Sequence, residues 1–347
     1  MDKVKWGVIG AGGIADRRTI PGMLLADNAE LVAVMEVNTA LAEKIKQKYN
    51  VKYAYTDHLE LLANPEVEAV YISSPVAYHK AQIIAAAAAG KHVLCEKPIA
   101  MTIADCGEVI NACNEAGILA ATGFMMRYNA YHRKIKEMVA DGDLGQVVSA
   151  RAQLTCWYPE MEGSWRQDKT QSGGGALMDM GIHCIDLIEY ITGSKTIKVG
   201  ALNDTKTFKY NVEDSSLVII KLANGLTASV DSNFNIPDDA AFCRLEIYGT
   251  KGSVVAEGTI GQVEGGTVRV VLVGGDIKYN AAQDRERTPE TTLEVELGNM
   301  YTKEIESFSN SILNGTPVEV PMSEAIHLQK VITAAYESSE KGIFLDI

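Results

Sequence analysis

The chain has 347 residues, 47% of them hydrophobic, and a formal net charge of -13 at pH 7. Its length predicts two domains of ordinary size, each able to bury a core. So acidic a surface repels a phosphate backbone and an anionic membrane, which argues against nucleic acid and lipid as partners.

Apolar stretches are broken by charge before they reach membrane-spanning length, and residues 1–6 lack the basic and apolar regions of a signal peptide, so a cytoplasmic protein is expected. Six cysteines (Cys95, Cys106, Cys113, Cys156, Cys184 and Cys243) are scattered without a C-x-x-C pair, each among apolar neighbours. They read as reduced core thiols, with neither a disulfide frame nor a metal site.

After the apolar run from Val4, residues Gly7 to Ala15 read G-V-I-G-A-G-G-I-A. This predicts the end of a first strand, a tight glycine turn and the start of a helix. Gly10 allows the positive φ of such a turn, Gly12 lets the backbone approach a pyrophosphate, and Ala15 is small enough for close helix-strand packing. The amides of Gly13 and Ile14, where the helix begins, then face the phosphates. A second apolar strand, Leu31 to Met35, ends in Glu36. That acid lies about 20 positions beyond Ala15, where a carboxylate accepts hydrogen bonds from the adenosine ribose. It would repel a 2′-phosphate, so NAD is favoured over NADP. Read alone, the glycines fit any strand-turn-helix junction, and Glu36 fits a solvated strand end.

The alternation continues with a helix over Thr39 to Tyr49 and another capped by Thr56-Asp57 and running through Leu62. Val67 to Ser73 is a buried-strand pattern stopped by Pro75, and Ala81 to Ala89 is a helix closed by Gly90. His92 to Cys95 is a short strand, Thr102 to Ala116 a helix, and Ile118 to Thr122 a further strand. Such alternation predicts a mostly parallel sheet covered on both faces, with a dinucleotide across the carboxyl ends of its strands. The pattern changes near residue 124. Tyr131 to Ala140 is helical, and strand segments then dominate: 147–156, 197–202, 215–222, 226–234, 242–248, 252–256 and 267–273. Turn signals such as Asn224-Gly225 and Lys251-Gly252 suit an antiparallel sheet. One helix, 176–191, interrupts the strands, and two more, Met300 to Leu313 and Ser323 to Ser339, end the chain. The longest loops are expected within 257–292.

Three places carry polar residues that a core does not need. Glu96-Lys97-Pro98 follows a parallel strand, and Pro98 biases Lys97 toward an extended conformation that aims its ammonium across the crevice; surface solvation is the plainer alternative. In the helix after Gly173, Asp179 and His183 are four apart, beside a polar stripe with Asp186 and Tyr190. An aspartate there favours and orients a protonated imidazole, while an exposed helix pair is the alternative. Finally, Arg127, Tyr128, Tyr131, Trp157, Tyr158, Trp165 and Arg166 suit a polyhydroxylated ligand, by ring stacking and bidentate donors, or equally a domain interface.

Together the turn G-A-G-G-I-A, the E-K-P tripeptide at 96–98, F-M-M-R-Y-N at 124–129, G-G-G-x-x-x-D-x-x-x-H ending at His183, and Y-G-T-K-G-S at 248–253 resemble the Gfo/Idh/MocA oxidoreductases over nearly the whole chain. The resemblance implies an α/β protein. It implies that residues 1–124 form a Rossmann domain with a doubly wound parallel sheet, and that residues 125–347 form an α/β substrate-binding domain whose large open, mainly antiparallel sheet commonly forms the oligomer interface, so that a homodimer or homotetramer is expected. It implies Lys97, Asp179 and His183 as catalytic groups. It also places the loop carrying Ser74 and His79 beside the nicotinamide ribose, with Glu96 and Lys97 nearby.

Alcohol oxidation by hydride loss needs a base within reach of the hydroxyl. His183 is assigned as that base, Asp179 as its orienter, and Lys97 as the cation that stabilises developing alkoxide. Arg127, Tyr128, Tyr158, Trp165 and Arg166 are the substrate-contact candidates. The expected activity is NAD-dependent oxidation, or the reverse reduction, of a ring hydroxyl of a sugar, glycoside or cyclitol. Two alternatives share the motifs: transient oxidation of a glycoside by retained NAD to release its aglycone, and a non-catalytic nicotinamide sensor. E-G-S-W-R at 162–166 is similar to a stretch in anhydrofructose reductases, for which NADPH is the implied cofactor; Glu36 departs from that pattern.

Overall fold

A computed structural model describes residues 2–275, 281 and 288–347. The first sheet is parallel throughout. Its strands are β1 (Val4–Ile9), β2 (Ala29–Met35), β3 (Tyr53–Tyr55), β4 (Ala69–Ile72), β5 (His92–Glu96) and β6 (Ala120–Gly123), in the order β3-β2-β1-β4-β5-β6. The order reverses between β1 and β4, which opens a crevice at their carboxyl ends, as in a Rossmann fold. Between the strands run α1 (Ile20–Leu25), α2 (Thr39–Tyr49), α3 (His58–Leu62), α4 (Val76–Ala88) and α5 (Ile103–Glu115). β3 carries no apolar run and escapes sequence reading; its stacked Tyr53 and Tyr55 rings lie 6.3 Å apart. α4 starts earlier than the alanine run suggests, because Pro75 occupies its N-cap with φ -57, ready for a helix.

Later elements are α6 (Ala130–Ala140), β7 (Val147–Thr155), α7 (Lys169–Ser172), α8 (Ile182–Thr192), β8 (Thr196–Asp204), β9 (Ser215–Leu222), β10 (Thr227–Asn233), β11 (Arg244–Gly249), β12 (Gly252–Glu257), β13 (Thr267–Leu272), β14 (Thr291–Thr292), α9 (Met300–Asn314), α10 (Met322–Lys341) and β15 (Leu345–Asp346). The second sheet has nine strands in the order β14-β13-β12-β11-β7-β10-β9-β8-β15. Every pair is antiparallel except β10 with β7. Part of the expected long loop at 257–292 lies outside the described residues. Among the described residues no helix is long and apolar enough to cross a membrane. All six cysteines are free; four are buried, while Cys156 and Cys243 are partly exposed.

The chain divides into two compact units that are discontinuous in sequence. One comprises Met1–Tyr128, Met161–Asp179 and Asn299–Lys330; the other comprises Asn129–Glu160, Met180–Gly298 and Val331–Ile347. A single cut at 124/125 thus differs from the packing, since two later segments join the parallel sheet. The reason is apolar. One face of that sheet offers Trp6, Val8, Val34 and Tyr71 to α1 and α2, and Ile305 and Phe308 of α9 complete the cover. Trp6 is fully buried, its ring 5.7 Å from Phe308 and its indole N–H donated to Ser309 Oγ at 3.1 Å. The other face packs Ile72, Ile83, Cys95 and Val109 beneath Met322 and Ala325, at the start of α10.

Truncating Trp6→Ala therefore removes the anchor of α9. Urea unfolding should show a loss of about 3–5 kcal/mol; a loss within measurement error would refute this account of the cover.

Candidate active site

At the crevice of the first unit, Gly10 has φ +80, and Gly13 has φ +57. A β-carbon at Gly10 would lie 2.6 Å from the Ser74 amide nitrogen, so this turn excludes any side chain on both grounds. The helix that follows opens with a wide π turn at Ala15–Thr19, preceded by Ile14 at its N-cap. Glu36 reaches back over the turn: its Oε2 accepts from the Gly12 N–H at 3.2 Å and its Oε1 from the Asn38 N–H at 3.3 Å. A β-carbon on Gly12 would sit 3.0 Å from Glu36 Oε2. This bare turn with a carboxylate at the end of β2 fits a dinucleotide: Gly10, Gly12, Gly13 and Ile14 would face its phosphates, and Glu36 its adenosine ribose.

Lys97 follows β5 on the same carboxyl edge, and its side chain is only 8% exposed. Its ammonium donates to Asp179 Oδ1 at 2.9 Å and to the Asp179 carbonyl at 2.7 Å. Asp179 sits in a second π turn, Leu177–Gly181, that leads into α8. π turns recur at functional sites, where the altered carbonyl register serves other donors. Arg166, on the short turn Trp165–Gln167, brings its Nε to 3.6 Å from the same Oδ1, while its guanidinium lies over the Trp165 ring at 4.4 Å. Lys97, Asp179 and Arg166, each singled out from sequence, thus gather within one unit.

Glu96 is oriented by a relay that sequence reading missed. Thr19 Oγ1 donates to Tyr71 Oη at 2.9 Å, and Tyr71 Oη donates to Glu96 Oε1 at 2.5 Å. Burial pushes the Glu96 carboxyl up, opposed by the charge of Lys97, the Tyr71 hydroxyl and Arg166. A tyrosine inside the run Val67 to Ser73 reads as core; the only signal was that its hydroxyl needs a partner when buried.

His79 is 1% exposed, with Nδ1 2.8 Å from the Pro98 carbonyl and Nε2 2.8 Å from the Ser74 carbonyl. It therefore ties the loop after β4 to the loop after β5. Burial pushes this imidazole's pKa down, and the two carbonyls oppose the shift. Ser74 Oγ donates to Gln82.

The remaining candidates have surroundings of their own. Arg127 is buried, held by Glu324 at 2.8 Å, and Tyr128 is buried with its hydroxyl 3.4 Å from Ser307 Oγ, so both lie inside the first unit. In the second unit the Tyr158 ring packs 5.0 Å from Phe234, and its carbonyl accepts from the Tyr210 hydroxyl. His183 lies in the first turn of α8 and is 6% exposed. The reading of this helix as amphipathic with a polar stripe does not hold: Asp186 and Glu189 are buried with Ile182, Ile185 and Ile188. An exposed Asp179/His183 pair is likewise overturned, because His183 is enclosed.

Comparisons with known proteins agree with this geometry. Residues 4–124 match the family described as oxidoreductases with an NAD-binding Rossmann fold, and residues 132–255 match the GFO/IDH/MocA C-terminal domain. The chain is 31% identical to the myo-inositol 2-dehydrogenase of Thermotoga maritima over 258 residues, 72% of this chain and 74% of that protein. It is 29% identical to the 1,5-anhydro-D-fructose reductase of Ensifer adhaerens over 309 residues, 89% of this chain and 88% of that one. The solved aldose-aldose oxidoreductase of Caulobacter crescentus, complexed with glycerol, superposes with a TM-score of 0.89 at 26% identity, covering 99% of this chain and 100% of that chain. With both halves matched in order and the nucleotide turn intact, the chain belongs to the Gfo/Idh/MocA family of NAD-binding oxidoreductases.

Proposed function

We propose that this oxidoreductase moves hydride between NAD and a ring hydroxyl of a sugar, glycoside or cyclitol. The observation that carries the reading is the enclosed Lys97 ammonium, fixed by two contacts with Asp179 on the carboxyl edge of the parallel sheet. Relatives named for anhydrofructose and myo-inositol support a polyhydroxylated ring as the substrate.

NAD, when bound, supplies the hydride acceptor. Lys97 then donates a hydrogen bond to the substrate oxygen and stabilises the negative charge that grows as its proton leaves. His183 takes that proton at an imidazole nitrogen, or returns it in the reducing direction. Asp179 holds Lys97 in register, and Arg166 and Trp165 offer a guanidinium and a ring face to hydroxyls and C–H bonds.

Lys97→Met is expected to lower kcat by about 10²–10³-fold, and His183→Ala by about 10²–10⁴-fold. Cofactor affinity should persist in both, measured by steady-state absorbance at the nicotinamide band on a sugar and glycoside panel. Unchanged turnover in both variants would sink the assignment; aglycone release without net NADH would favour the transient-oxidation route. For the cofactor, Glu36→Ala should weaken NAD binding about 10–100-fold and narrow the gap to NADP, as read by fluorescence titration. Equal affinity of the unaltered protein for both cofactors would count against NAD preference. Self-association through the open sheet is supported by exposed Leu202 and its cross-strand partner Leu217, with Ile219 on the same face. Sedimentation should show a dimer or tetramer that Leu217→Glu weakens; a monomer at micromolar concentration would contradict it.

A further inference from the structure

The mechanism above leaves unused one acid inside the first unit. Glu304, on α9, is 1% exposed, and neither of its carboxyl oxygens has a hydrogen-bond partner among the described residues. The hydroxyl of Tyr301, one turn earlier, has none either. An ionised carboxylate in that place would have given up its water and gained no donor, the most costly state for a buried acid.

The surrounding groups decide where charge can reside. α1 presents no titratable side chain, and β1 and β2 face α9 with Trp6, Val8 and Val34. On the 15–19 turn, Arg17 and Arg18 act on Tyr301. Arg127, on the turn that precedes α6, is held by Glu324. Among these elements the charge that acts on Glu304 is Glu96. Glu96 is well provided: it accepts the Tyr71 hydroxyl at 2.5 Å and lies in the field of Lys97 and Arg166. Tyr71 has one proton and commits it to Glu96. Among the described residues no donor reaches Glu304, whose carboxyl is pushed well above the usual range by burial and by the charge of Glu96.

We propose that Glu304 is a neutral carboxylic acid in the resting protein and a positioning residue for the active site: by keeping its proton, it holds the Glu96/Glu304 pair to one negative charge beside Lys97. Ionising Glu304 would place a second negative charge next to Glu96 and raise the negative potential around Lys97. The reaction is thereby sensitive to a group that touches neither substrate nor cofactor.

The sign of the pH effect follows by linkage. The folded protein keeps a proton that the unfolded chain releases, so stability falls as pH rises from the ordinary glutamate value toward the raised folded one. Glu304→Gln, a neutral mimic of the acid, should remove that part of the slope. Relative to wild type it should gain stability as pH rises, by urea unfolding across the pH range. In carboxyl-labelled wild-type protein, one glutamate resonance should keep its protonated position through neutral pH. That measurement stands even if the variant fails to fold. In turnover, wild type should show an alkaline fall in kcat/KM that Glu304→Gln lacks, with kcat near neutral pH kept. If every glutamate carboxyl titrates in the ordinary range, or if the variant and wild type keep parallel stability profiles, the proton assignment fails. An identical alkaline limb in both proteins overturns the positioning role. The first two readouts need no substrate, so they stay decisive if the sugar reading is wrong.

Discussion

Where the turn after β1 meets the loop after β4, backbone lies against backbone with no room for a β-carbon on Gly10. Much of the site geometry descends from that closeness. Ser74, which abuts the turn, gives its carbonyl to His79, and the other nitrogen of that ring meets the Pro98 carbonyl. Lys97, one residue earlier, is then presented to Asp179. The nucleotide turn and the Lys97 ammonium are thus joined by a short run of covalent and hydrogen-bonded steps within one unit, the kind of support that a functional constellation needs.

The charges at this edge are gathered at some expense to stability. A lysine as enclosed as Lys97 loses hydration, and its pairing with Asp179 offsets that loss without a clear surplus. Apolar residues of the same volume would pack as well. What the ion pair provides is a cation at a fixed position, with Arg166 sharing the same carboxylate oxygen and Glu96 fixed beside it by Tyr71. Such preorganised charge acts most strongly where water is excluded.

Much of this was legible in the sequence, and the failures have physical causes. The apolar runs before Gly10 and Glu36 mark buried parallel strands because both faces are covered, and the glycine turn announces its positive φ. E-K-P correctly pointed to the sheet edge. The sequence-periodicity argument failed at residues 177–181, since a π turn leaves no trace in side-chain spacing and the following helix is enclosed on nearly every side. Local spacing also does not reveal that Arg127 pairs with Glu324 and that the Tyr128 hydroxyl meets Ser307, far along the chain. Tyr53–Tyr55 was too short to register, and the return of 299–330 to the first unit is a long-range choice made by apolar surface.

That return has a bearing on how the protein is made. Trp6 leaves the ribosome 303 residues ahead of the Ser309 hydroxyl that its indole N–H meets, and Phe308 arrives with that serine. Until then the parallel sheet has an apolar flank open to water, a surface for chaperones or for misassembly with a neighbouring nascent chain. The cover of the parallel sheet is therefore completed by a segment made long after its first strand.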